Sequence, residues 1–159
     1  MALVDVNAPV VIIGCGNLLR GDDGVGPILV RYLWEKGVPP SLRLADGGTA
    51  GMDVTYHMRG AREVILVDAC QTGAEPGTLF KIPGEEIAEL PPLTGINLHA
   101  FRWDHALAFG RWFLKEEFPE KITVYLIEAA DISHGAPLSE PVRQTMERLA
   151  EQLLQAYST

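Results

Sequence analysis

The sequence is poor in several features, and each shortage narrows its roles. Only two cysteines occur in 159 residues, Cys15 and Cys70, far apart and in no C-x-x-C pair. A zinc site built on thiolates is therefore unsupported, and two buried, reduced thiols are expected. No apolar run is long enough to span a bilayer, and the start Met-Ala-Leu-Val-Asp lacks the charged and apolar regions of a secretory signal. A cytoplasmic protein with no membrane partner is expected. Lysine and arginine number 13 against 21 aspartates and glutamates, a net charge of -8. That balance argues against nucleic acid or anionic lipid as the main partner, because phosphate surfaces demand clustered cations; a basic or metal-bearing partner suits it better. No motif offers a serine or cysteine nucleophile.

What is present fits one domain spanning 1–159. Hydrophobic residues make up 47% and charged residues 21%, the proportions of a globular chain with a core of its own. There is no internal repeat and no linker. Pro9 to Ile13 reads as a buried strand that stops at the turn chemistry of Gly14-Cys15-Gly16-Asn17. Val25, Ile28, Leu29, Tyr32 and Leu33 recur at helical spacing up to Gly37. Leu42 to Ala45 predicts a brief strand, and Asp46 to Gly51 a flexible loop opening a short helix with Met52, Val54 and Met58. Val64 to Val67 is aliphatic throughout, as in a strand covered on both faces of a parallel sheet. Gly77 to Ile82, flanked by Pro76 and Pro83, suggests an edge strand. A loop over 91–98 precedes a helix from Ala100 to Leu114, then Ile122 to Ile127 predicts a strand. Ser139 before Pro141 starts a last amphipathic helix that turns Val142, Met146, Leu149 and Leu153 inward. Alternation of this kind predicts a three-layer α/β/α sandwich around a largely parallel twisted sheet.

Gly14 to Gly26, G-C-G-N-L-L-R-G-D-D-G-V-G, lies between a strand and a helix as a dinucleotide-binding loop does. The third glycine of such a loop would fall at Leu19, however, and Asp22 and Asp23 would repel a pyrophosphate at the helix start. A cation suits that place better, with Asp23 as a hard ligand, although capping of the first helix by at least one of the two aspartates is also expected. Asp68 directly follows Val64-Ile65-Leu66-Val67 and so falls at the crevice outside the carboxyl end of a central strand, where open α/β sheets hold ligands. His99 precedes a helix and can reach into a cleft. His105 shares the apolar stripe of Phe101 and Trp112 and reads as a packed or supporting histidine, while His57 and His134 carry no spacing signal. Asp46 ends a strand, and an aspartate that bonds its own turn is the expected reading there. Two carboxylates and one imidazole form a mixed oxygen and nitrogen set able to hold zinc, nickel or cobalt with a position left for water, which makes metal-assisted hydrolysis the natural reaction class.

Taken together, Gly14 to Gly26, Asp46-Gly47-Gly48-Thr49-Ala50-Gly51-Met52, Val67-Asp68-Ala69 and His99 resemble the hydrogenase maturation peptidases in order and spacing along most of the chain. The resemblance implies an endopeptidase that removes a C-terminal extension from the large-subunit precursor of a nickel-iron hydrogenase once nickel is inserted. It places the metal-binding and catalytic positions on Asp23, Asp68 and His99. The first of these is often Glu in the family, so the shorter Asp23 leaves Asp22 as a substitute. Nickel carried by the precursor is the implied cofactor, with zinc or another divalent ion as the resting alternative, and a monomer is expected. Phe101-Arg102-Trp103-Asp104-His105-Ala106-Leu107 and Glu128-Ala129-Ala130 look like the branch serving bidirectional, NAD-coupled hydrogenases. Two rival readings remain at this point, a non-catalytic nickel checkpoint or chaperone using the same ligands and a Rossmann-type nucleotide-binding protein.

Overall fold

The computed structural model describes residues 10–48, 51–83, 116 and 118–157. The sheet is five-stranded: β1 (Val10–Cys15), β2 (Leu42–Gly48), β3 (Glu63–Cys70), β4 (Leu79–Pro83) and β5 (Lys121–Glu128) stand in the order β2-β1-β3-β5-β4. β1 pairs parallel with β2 and β3, β3 pairs parallel with β5, and only β4 runs antiparallel, against β5. The largely parallel sheet expected from the sequence is present, with β4 as the edge strand that its flanking prolines suggested.

Period-two alternation divides the core into two halves. Val11, Ile13, Val64, Leu66, Val124 and Leu126 face the side covered by α2 (Gly51–Met58), whose Val54 and Met58 are buried against them. Ile12, Ile65, Val67 and Ile127 face α1 (Val25–Lys36) and α3 (Glu140–Tyr157), which bury Val25, Leu29 and Leu33 and Val142, Met146, Leu149 and Leu153 respectively. Burying a side chain of this size is worth about 1.5–3 kcal/mol, so the all-aliphatic strand β3, covered on both faces, anchors the sandwich. α1 and α3 are also joined at their surface, where the Tyr32 hydroxyl donates to Glu151 at 3.2 Å and Lys36 pairs with the same carboxylate at 2.7 Å.

Three local expectations are corrected. β2 continues through Asp46-Gly47-Gly48 instead of ending at Ala45, because β1 still pairs with it there, Gly14 with Asp46 and, across a register shift, Cys15 with Gly48. Neither Asp22 nor Asp23 caps α1: both lie in a 3-10 turn, Gly21–Gly24, and the capping position is Gly24, which has no side chain to offer. Ser139 does precede α3, and its carbonyl accepts the Arg143 N–H at 2.9 Å, but its hydroxyl is engaged elsewhere, as described below. The predicted loop over 91–98 and helix from Ala100 to Leu114 lie outside the described residues, and so do His99 and His105. Among the described residues no helix is long and apolar enough to cross a membrane.

Candidate metal-binding and peptidase crevice

Parallel strands deliver their carboxyl ends to one edge of the sheet, and the acidic residues collect there. Asp68, two residues before the end of β3, is fully buried. Its Oδ1 accepts the Ala69 N–H at 2.7 Å, whereas its Oδ2, also buried, has no hydrogen-bond partner among the described residues. Burial pushes its carboxyl well above the usual range, the Ala69 N–H pulls it back, and the charge of Asp23 pushes it up further. Asp23 is likewise buried, at 2% exposure.

The loop between β1 and α1 brings these two groups together. Gly16, at φ +136°, would place a Cβ against the Asp23 carbonyl and 3.6 Å from Asp68 Oδ1, so only a glycine lets the loop fold back between them. The Asn17 N–H to Asp23 carbonyl bond of 3.2 Å closes that turn. Of the expected set, Asp23 and Asp68 are therefore buried neighbours at the carboxyl edge of the sheet. Among the described residues no third histidine, cysteine, aspartate or glutamate completes a metal-holding group with them, and His99 lies outside those residues.

Asp22 has a different task. Its carboxylate accepts from Ala130 N at 2.8 Å, Asp131 N at 3.1 Å, Ser139 N at 2.7 Å and the Ser139 hydroxyl at 2.8 Å. Its own N–H donates to the Asp131 carbonyl at 2.9 Å. This side chain ties the loop after β1 to the loop between β5 and α3, whereas Asp23 is the one of the two whose charge acts on Asp68. Asp22→Ala is expected to lose about 3–5 kcal/mol of stability, since several donors are left buried around a void. Urea denaturation checks this, and a loss below about 1 kcal/mol would mean that water replaces the carboxylate without penalty.

Glu128 is a second cross-link that no sequence pattern announced. Buried at the end of β5, it accepts from the Thr72 N–H at 2.9 Å, the Thr72 hydroxyl at 2.6 Å and the Gly73 N–H at 3.3 Å, and the Cys70 thiol lies 3.6 Å away. Asp46 bonds its own turn, as expected: its Oδ1 accepts the Gly48 N–H at 2.8 Å. Cys15 and Cys70 are buried and free. Burial first, and neighbouring carboxylates second, push both thiols up, so neither supplies a thiolate nucleophile.

Sequence and structure comparisons point the same way as the crevice. A family model described as hydrogenase maturation protease matches residues 27–156. The hydrogenase expression/formation protein HupM of Azotobacter chroococcum is 31% identical over 140 residues, covering 87% of this chain and 66% of that relative's length. The hydrogenase maturating endopeptidase HybD of Escherichia coli superposes with a TM-score of 0.78 at 27% identity, over 93% of this chain and 91% of that one. The nickel-iron hydrogenase maturation protease HybD of Thermococcus kodakarensis gives 0.77 at 26% identity, over 93% and 98%. With a family model spanning most of its length and the same fold in solved endopeptidases, this chain belongs to the hydrogenase maturation protease family.

Proposed function

We propose that the protein is the endopeptidase that removes the C-terminal extension of a nickel-iron hydrogenase large-subunit precursor, and that it recognises the precursor through the nickel already inserted in it. The observation that carries this reading is Asp68: a wholly buried carboxylate with one oxygen lacking a hydrogen-bond partner among the described residues. A desolvated carboxylate needs either a proton or a cation. Asp68 and Asp23 supply oxygen donors for that cation, and His99 supplies nitrogen. The nickel arrives as part of the substrate, which makes cleavage conditional on metal loading. Docking of the metal displaces the proton that burial keeps on Asp68, so recognition weakens as pH falls. Leu18 and Leu19, on the loop between Gly16 and Asp22, are 43% and 63% exposed and offer apolar contact to the docked chain beside the crevice. Once the metal fixes the precursor, hydrolysis of the adjacent peptide bond needs a water held against the scissile carbonyl.

The test mixes the protein with nickel-loaded and nickel-free precursor and follows the precursor's C-terminal mass by intact mass spectrometry. Loss of a tail from the loaded form alone is expected. If neither form is shortened while the loaded form binds, the protein is a metal checkpoint and not a peptidase.

A further inference from the structure

Glu128 stands where the pattern of its strand calls for an apolar side chain. Val124 and Leu126 of β5 are buried in the half of the core under α2, and period-two alternation puts Glu128 on the same face. It is buried there at 3% exposure, level with Cys70 of β3. A buried carboxylate costs more than the aliphatic side chain it replaces unless donors satisfy it, so its presence at the end of a core strand points to a task.

Its donors lie on the connection between β3 and β4. The Thr72 N–H, the Thr72 hydroxyl and the Gly73 N–H hold the carboxylate at 2.9, 2.6 and 3.3 Å, although Thr72 and Gly73 are themselves exposed and add no apolar burial. The backbone of Glu128 fastens the far end of the same connection: its N–H donates to the Thr78 carbonyl at 2.9 Å, and its carbonyl accepts the Gly77 N–H at 2.8 Å. One residue therefore pins both ends of the segment that leaves β3 just beyond Asp68.

The residues after Glu128 reach the other side of the crevice. The Ala129 N–H donates at 2.9 Å to the carbonyl of Cys70, two residues after Asp68. The Ala130 and Asp131 N–H groups donate to the Asp22 carboxylate at 2.8 and 3.1 Å, and the Asp131 carbonyl accepts the Asp22 N–H at 2.9 Å. Asp23 is the next residue of that turn, Gly21–Gly24. Residues 128–131 thus bond in succession to the strand that carries Asp68 and to the turn that carries Asp23. The space between the two has no slack, since a Cβ on Gly16 would strike the Asp23 carbonyl and lie 3.6 Å from Asp68 Oδ1.

We propose that Glu128 is a positioning residue of the peptidase site: by anchoring residues 128–131 to the segment that leaves β3, it sets the spacing of Asp23 and Asp68 and with it the fit of the crevice to the metal of the precursor. This rests on the peptidase reading above and deepens it, because Glu128 acts through the two aspartates. Removing a group that holds metal-binding side chains in register costs about 10- to 100-fold in metal affinity.

The test compares the parent with Glu128→Gln, which keeps the side chain's size but sets an amide NH2 among the Thr72 and Gly73 donors. Thr72→Val, which takes only the hydroxyl from the carboxylate, serves the same comparison if the first variant does not fold. Amide hydrogen exchange is followed by NMR on the full chain, and binding of nickel-loaded and nickel-free precursor by biolayer interferometry. Exchange at Asp22, Asp23, Ala130 and Asp131 is expected to quicken about tenfold or more while Ile12 and Leu29 in the core exchange as in the parent. Affinity for the loaded precursor should fall about tenfold or more, with affinity for the nickel-free form unchanged. Thr72→Val should show the same pattern at smaller amplitude. Unchanged exchange at the turn, or exchange quickened equally at Ile12 and Leu29, would reduce Glu128 to a general stabiliser and overturn the proposal. So would an unchanged affinity for the loaded form, or a loss shared equally by both forms. A parent that binds the loaded form without cutting it, or that binds neither form, defeats the peptidase reading instead, and the exchange pattern then decides by itself whether Glu128 positions the Asp23 turn.

Discussion

Asp68→Asn is expected to yield a protein that cleaves nothing yet melts at a higher temperature than its parent. The two effects share one cause. Asparagine keeps an oxygen for the Ala69 N–H, which now bonds Asp68 Oδ1 at 2.7 Å, but it removes the charge that a cation would need and that burial opposes. In the folded chain the carboxyl is raised, foremost by burial, against the Ala69 hydrogen bond and with the charge of Asp23 adding to it. The unfolded chain holds its proton only up to about pH 4. Between that pH and the raised folded value the unfolded state releases a proton that the folded state keeps, so rising pH favours unfolding through this group. The asparagine variant is free of that penalty. Its advantage should be absent near pH 4 and grow toward neutrality, with both proteins kept in chelator so that no cation compensates. Melting curves from pH 4 to 8 measure it, and an advantage independent of pH, or a less stable variant, would contradict the account. Active cleavage by Asp68→Asn would in turn remove Asp68 from the site.

Much of this site could be read from the chain because it depends on local order. Val64 to Val67 announces a strand covered on both faces, and β3 does lie between β1 and β5. The residue that follows such a strand reaches the crevice whatever its distant neighbours are. The division of labour between Asp22 and Asp23 had no such signal. It is decided by Ala130, Asp131 and Ser139, more than a hundred residues away, and capping preference alone pointed to the wrong partner for both Asp22 and Ser139. Glu128 escaped for the same reason, its donors being Thr72 and Gly73. The extension of β2 through Asp46-Gly47-Gly48 overrode turn chemistry, because β1 supplied a hydrogen-bonding partner that local propensity does not count. His57, which carried no sequence signal, contributes its backbone carbonyl to Arg43 at the end of α2.

Gly26→Ala is expected to destabilise the fold strongly, because the added methyl would meet three backbone atoms at 2.5 Å or less. The glycine pattern first suggested a comparison with a dinucleotide loop in which Leu19 took the place of the third glycine, the one that lets helix and strand pack closely. That task falls to Gly14 and Gly26. A Cβ on Gly26 would stand 2.5 Å from Cys15 N and 2.5 Å from Val67 O, and nearer still to Cys15 O; one on Gly14 would strike the Gly26 carbonyl. Ordinary contact begins at 3.4 Å, and every obstructing atom is backbone, so no rotamer change can make room. α1 would have to lift from β1 and β3 by about 1 Å, and overpacking of this kind costs about 3 kcal/mol or more when the neighbours cannot yield. Chemical denaturation of Gly26→Ala should show that loss, or no soluble protein at all, and a midpoint equal to the parent's would refute the close-packing argument. The consequence reaches function as well. Asp23 lies only three residues before Gly26, on the turn that leads into α1, so a helix displaced from the sheet carries that carboxylate away from Asp68. Any Gly26→Ala protein that remains folded should therefore process the nickel-loaded precursor more slowly than its stability alone would predict.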